Sequence, residues 1–229
     1  MHYAHQMATA PLLRTGISGL DPLLAIGGAG LVTLRSAQDW KLSRLASSIL
    51  ARSMGEGRRA LYIYWVEYHY RYWALDYDYL FSTAKAVGIS PDEISDNVFF
   101  QRYFCKDNIA AQENWDKLFE YQRGSFDIII LDSVSELYDH APKKEANDKP
   151  FAYSMGKFSE LLSKQGAIGI ALDYSKYPVH EYLGEISSIV LELSWQDCLR
   201  ASITKHPLLA MTTVDIPLKA QQTLGRWSR

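Results

Sequence analysis

The chain has 229 residues, 48% hydrophobic and 22% charged, enough for one large α/β domain or two small ones with a substantial core. A formal net charge of −2 excludes global attraction to nucleic acid or anionic membrane, so such binding must come from local patches. Cys105 and Cys198 stand far apart with no cysteine or histidine at metal-ligand spacing, which argues against a disulfide framework or zinc site. No apolar run approaches the ~20 residues of a membrane span, and the first thirty residues lack the pattern of an export signal. A cytoplasmic protein without a membrane partner is expected.

Residues 1–14 carry little pattern and read as an N-terminal arm. Thr15-Gly-Ile-Ser-Gly-Leu-Asp21-Pro-Leu-Leu24 predicts a turn into a short helix, with Asp21 as N-cap and Pro22 at the first helical position. A strand is expected at 31–34, a polar loop at 35–39 and an amphipathic helix at 41–54, with Leu42, Leu45, Ile49 and Leu50 inward. Gly55-Glu-Gly57 ends that helix, and 60–66 is a second strand. Helices are expected at 76–87, 91–94, 109–123 and 151–164. Strands are expected at 98–103, 126–131, 167–172, 186–194, 200–205 and 211–216. This alternation predicts an α/β fold whose mostly parallel sheet is flanked by helices on both faces. One core domain would span 15–218, with a C-terminal tail at 219–229.

The stretch at 126–131 is short, almost continuously apolar and rich in isoleucine, as a parallel strand covered on both faces reads. It ends abruptly in Asp132 and Ser133. A carboxylate at that tip projects into the crevice where open α/β sheets bind ligands, and in nucleotide hydrolases such an Asp holds Mg²⁺. The alternative is a core strand followed by an ordinary helix N-cap.

A phosphate-cradling loop needs glycines for close backbone approach, a Lys for charge and a Ser or Thr hydroxyl for Mg²⁺. The loop after the first strand is Arg35-Ser-Ala-Gln-Asp39-Trp40-Lys41-Leu42. Its lysine is in place, but Arg35 and Trp40 stand at the glycine positions and Leu42 at the hydroxyl position. Asp39 adds negative charge where phosphate would sit. The other reading of Lys41 is a solvated lysine in a first helical turn.

These segments resemble RadA/RecA-type recombinases. The resemblance rests on Thr15-Gly-Ile-Ser-Gly-Leu-Asp21, the degenerate loop, Gly55-Glu-Gly57-Arg-Arg-Ala-Leu-Tyr-Ile63 and residues 126–138, in that order. Residues 84–103 resemble the archaeal RadA branch and its paralogues. The similarity spans roughly 15–218 and implies a RecA-like P-loop NTPase core. By position it makes Asp132 the Mg²⁺-associated aspartate, Lys41 the phosphate-loop lysine and Glu67 the nearest match to the catalytic glutamate. Asp173-Tyr174 stands where the family has a polar sensor. With Arg35, Trp40, Lys41, Leu42, Asp132 and Ser133 forming a degenerate nucleotide site, ATP and Mg²⁺ are expected only if that site still binds, and no cofactor otherwise.

Two loops would face DNA by this resemblance, one at 139–155 with Lys143, Lys144, Lys149 and Tyr153, the other at 175–185 with Lys176, Tyr177, His180 and Tyr182. Lysines beside aromatics suit single strands, although two solvated surface loops would read the same. Aromatics crowd residues 62–79, among them Tyr68, Tyr70, Tyr72 and Trp73. They suit a partner interface, collapse into an unused nucleotide cleft, or plain core packing. The expectation is a recombinase paralogue without hydrolysis, an accessory factor in homologous recombination or DNA repair. It would act through a recombinase or paralogue, single-stranded DNA, or further copies of itself. The alternatives are an atypical working DNA-dependent ATPase and a scaffold of the circadian-clock ATPase type.

Overall fold

A computed structural model describes residues 13–26, 28–37, 39–66, 75–104, 125–134, 148–174 and 180–218. Eight strands form one sheet: β1 (Gly30–Arg35), β2 (Ala60–Val66), β3 (Val98–Phe104), β4 (Ile128–Asp132), β5 (Ile168–Asp173), β6 (Ile189–Trp195), β7 (Leu199–Lys205) and β8 (Thr212–Ile216). The helices are α1 (Asp39–Gly55), α2 (Tyr77–Ala86), α3 (Pro91–Asn97), α4 (Asp148–Gln165) and α5 (His180–Ile186). The expected α/β class is found. Helices expected at 109–123 lie outside the described residues.

Strand order is β3-β2-β4-β5-β1-β6-β7-β8. Pairing is parallel from β3 through β6 and antiparallel for β7 and β8. From β1 the chain moves past β5 and β4 to reach β2 and then β3. It later returns through β4 and β5 and crosses to β6. Right-handed crossovers put connections running in opposite directions on opposite faces. Accordingly, apolar residues of α1, α2 and α3 pack on Val32, Leu34, Ile130 and Leu172, whereas those of α4 and α5 pack on Leu31, Ile129, Leu131 and Ala171. Successive residues of β4 thus enter opposite cores, which is why its sequence is an unbroken apolar run.

Four local expectations are corrected. Asp21 is not an N-cap: Asp21–Leu24 is a single 3-10 turn with Leu20 at the cap position. Asp21 Oδ1 instead accepts from Thr15 N (2.7 Å) and Thr15 Oγ1 (2.5 Å), closing the preceding loop. Helix α4 begins at Asp148, so Lys149 and Tyr153 belong to a helix and the expected loop ends sooner. Pro150 permits this because a first-turn residue has no intrahelical N–H bond to lose. A loop was expected throughout 175–185, but α5 occupies its later part. Leu183 is buried there, the Tyr182 ring meets Phe151 edge-on, and Lys205 Nζ donates to the carbonyls of Gly184 (2.8 Å) and Glu185 (3.1 Å) at the helix end. Because Ile186 closes α5, β6 starts at Ile189 rather than 186. Among the described residues no helix is long and apolar enough to cross a membrane.

Gly169 on β5 lies under α4, where an added Cβ would overlap the Leu162 methyls and press on Leu31. Gly169→Ala is expected to destabilise the protein by about 1–3 kcal/mol through overpacking, measured by urea denaturation.

The β7–β8 connection depends on an imidazole: His206 Nδ1 accepts from the backbone N–H groups of Leu208 and Leu209, both at 3.0 Å. Only the neutral ring can do this, and burial holds its pKa below the ordinary histidine value. A depressed folded-state pKa means the stabilisation is complete above the unfolded value of about 6.5 and fades as pH falls through the folded one. Urea midpoints are expected to drop between about pH 7.5 and 5.5, and to drop less in His206→Gln.

Candidate functional site

The parallel strands end on one edge of the sheet, where β1 and β5 send their connections to opposite faces and open a crevice. Asp132 ends β4 at this edge, Asp173 ends β5 and Arg35 ends β1. Alternation divides them. Asp132 follows Ile128 and Ile130 onto the α1 face, whereas Asp173 and Arg35 fall on the α4 face.

Asp132 is fully buried. The Tyr62 hydroxyl donates to Oδ2 at 2.5 Å and the Tyr174 hydroxyl to Oδ1 at 2.6 Å. Ser133 Oγ stands 3.4 Å from Oδ1. The geometry follows from register. Tyr64 is the direct partner of Asp132, so Tyr62, two residues back on the same face, lies along β2 with its hydroxyl reaching forward. Tyr174 follows β5 onto the same face, the strand that separates β4 from β1. Burial pushes the Asp132 carboxyl above the usual carboxylate range, and the two tyrosine bonds oppose that shift. Burial, then the Asp132 charge, pushes the Tyr62 phenol well above its ordinary value. The Tyr62 phenol therefore keeps its proton and remains a donor. Immediately after, Ser133 adopts φ 58°, a left-handed conformation that is unfavourable for a residue with a Cβ.

The loop after β1 is tied down by protein groups on both faces. Arg35 Nε lies 3.2 Å from Asp173 Oδ2, in a pair whose carboxylate side chain is fully buried, and Ser36 N donates to the Asp173 carbonyl at 3.1 Å. Leu42 is fully buried in the α1 core. The Lys41 ammonium donates to the Trp195 carbonyl at 3.3 Å and sits 5.7 Å from the centre of that indole ring. Burial lowers its pKa. This contact holds the Lys41 amino group on the β6 side of β1, while Asp132 lies two strands away on the other side.

The donor set does not fit Mg²⁺ and ATP in the manner of a P-loop. Leu42 supplies no oxygen, both Asp132 oxygens already accept from tyrosines, and Arg35 is engaged with Asp173. Among the described residues, no group of three or more His, Cys, Asp or Glu could hold a metal ion. Glu67, Tyr68, Tyr70, Tyr72, Trp73, Lys143, Lys144, Lys176 and Tyr177 lie outside the described residues. Only the backbone is described for Trp40, Lys149 and His180. Sequence reasoning had Tyr62 in an aromatic crowd and Tyr174 as a departure from a sensor. Their partnership with Asp132 was missed, because it needs the β2–β4 register, which a lone sequence does not contain.

Tyr62→Phe and Tyr174→Phe are each expected to destabilise the fold by about 1.5–3 kcal/mol, since each strips one donor from a buried carboxylate. The Tyr62→Phe loss should shrink when Asp132 is already Asn, a coupling that a double-mutant cycle in urea measures directly.

Compared with known proteins, the chain matches no protein-family model and no curated protein.

Proposed function

We propose that the chain is a RecA/RadA-like recombinase paralogue with a RecA-like core that has given up nucleotide hydrolysis. It acts as an accessory factor in homologous recombination or DNA repair, through a recombinase or recombinase paralogue. The observation that carries this reading is the Asp132 carboxylate capped by the Tyr62 and Tyr174 hydroxyls. In a nucleotide hydrolase a carboxylate at this strand tip faces Mg²⁺ and water. Here each carboxylate oxygen accepts from a phenol and the group is buried from water. The loop supports the same reading, because the Arg35–Asp173 pair and the Lys41–Trp195 contact hold in place groups that would otherwise face phosphate. With hydrolysis gone, what such a protein offers is surface, and its use is to dock on a partner.

The test is calorimetric titration of ATP with Mg²⁺ into the full chain, with Lys41→Ala and Asp132→Ala as controls, followed by co-elution with an archaeal-type recombinase. No saturable heat at millimolar ATP, together with co-elution, is the expected result. Micromolar ATP binding that disappears in both variants would overturn the reading and restore the atypical ATPase.

A further inference from the structure

A polar row crosses five strands near the carboxyl edge. Register aligns Asp173 of β5 with Arg35 of β1, Arg35 with Glu192 of β6, Glu192 with Ser202 of β7, and Ser202 with Thr213 of β8. Residues aligned in this way share a face. The flanking Leu191, Leu193 and Ala201 enter the α1 core, so the row lies on the opposite side, where Glu192 and Ser194 are exposed. Arg35, Ser36, Glu192, Ser194 and Ser202 line an open depression there of about 260 Å³.

The charges of the row are unevenly matched. Arg35 is paired with Asp173, Ser202 Oγ shares a hydrogen bond with Thr213 Oγ1 at 3.1 Å, and the neighbouring Arg200 makes two bonds to Asp215, at 2.7 and 3.2 Å. Among the described residues Glu192 has no ion-pair or hydrogen-bond partner. An ionised carboxylate only accepts, and the hydroxyls beside it can also accept, so the site calls for a ligand rich in N–H donors. The depression is smaller than the roughly 300–1,000 Å³ of small-molecule pockets. It suits one side chain. A planar guanidinium, with several donors in a fixed fork, answers this arrangement better than a point ammonium. A phosphate backbone would instead meet the Glu192 carboxylate, beside an Arg35 already engaged with Asp173.

We propose that this depression is a docking site for one arginine side chain presented by a protein partner. The proposal builds on the reading that the chain works through protein partners, but its test needs no recombinase. Isotope-labelled full chain is titrated at low salt with acetyl-Ala-Arg-Ala-amide, and with acetyl-Ala-Gln-Ala-amide as control, while backbone amide shifts are followed. The arginine peptide alone should shift Ser36, Ala37, Ser194 and Ser202 saturably. Glu192→Gln should weaken the affinity about tenfold and Glu192→Lys abolish it, with the remaining spectrum unchanged. Equal shifts from the glutamine peptide, or an affinity untouched by Glu192→Gln, would overturn the site. So would a thymidine oligonucleotide that shifts the same amides in place of the peptide. If the arginine peptide binds but no recombinase co-elutes, the docking site stands and the partner assignment falls. If a recombinase co-elutes and the peptide does not bind, the reverse holds.

Discussion

Asp132 is a carboxylate without access to water, and such a group is tolerated only when both of its oxygens find donors. Much of the sheet edge follows from that requirement. Tyr62 must sit two residues behind the register partner of Asp132, which fixes β2 against β4. Tyr174 must leave β5 on the α1 face, which fixes the start of the next connection. The phenols satisfy the charge without supplying one of their own, so the cluster keeps a single negative charge surrounded by apolar walls.

The second buried charge is handled by a different solution. Asp173 meets a formal counter-charge, Arg35, across adjacent strands on the opposite face. Desolvation of such a pair consumes most of its Coulomb attraction, so its value lies less in net stability than in fixing one arrangement of the β1 loop. The two aspartates thus end neighbouring strands, yet alternation sends them to separate layers. Each layer supplies its own remedy.

The strands were legible in the sequence wherever period and composition agreed. Residues 126–131 read as a doubly covered strand because isoleucines fill both faces, and the Gly55-Glu-Gly57 stop located β2. What escaped was set by contacts remote in sequence. The helix expected at 151–164 starts at Asp148 because a first-turn proline such as Pro150 is compatible with a helix. Helix α5 is only a few residues long and its apolar anchor, Leu183, has no helical period to announce it; packing against α4 decides it. At the site, the loss of glycines and hydroxyl around Lys41 was visible at once. The replacement contacts were not: Arg35 with Asp173, and Lys41 with the Trp195 carbonyl, join residues more than a hundred positions apart.

The Arg35–Asp173 pair also bears on what this loop can become. Glycine at position 35 would be the first change toward a phosphate cradle. It would leave Asp173 as a buried charge without its cation, a loss on the order of 3–5 kcal/mol. That is a large fraction of a domain's entire margin against unfolding. Replacing Asp173 first would strand Arg35 in its turn. Either single change therefore costs stability before the second can restore it, so the two positions can only change together without that loss.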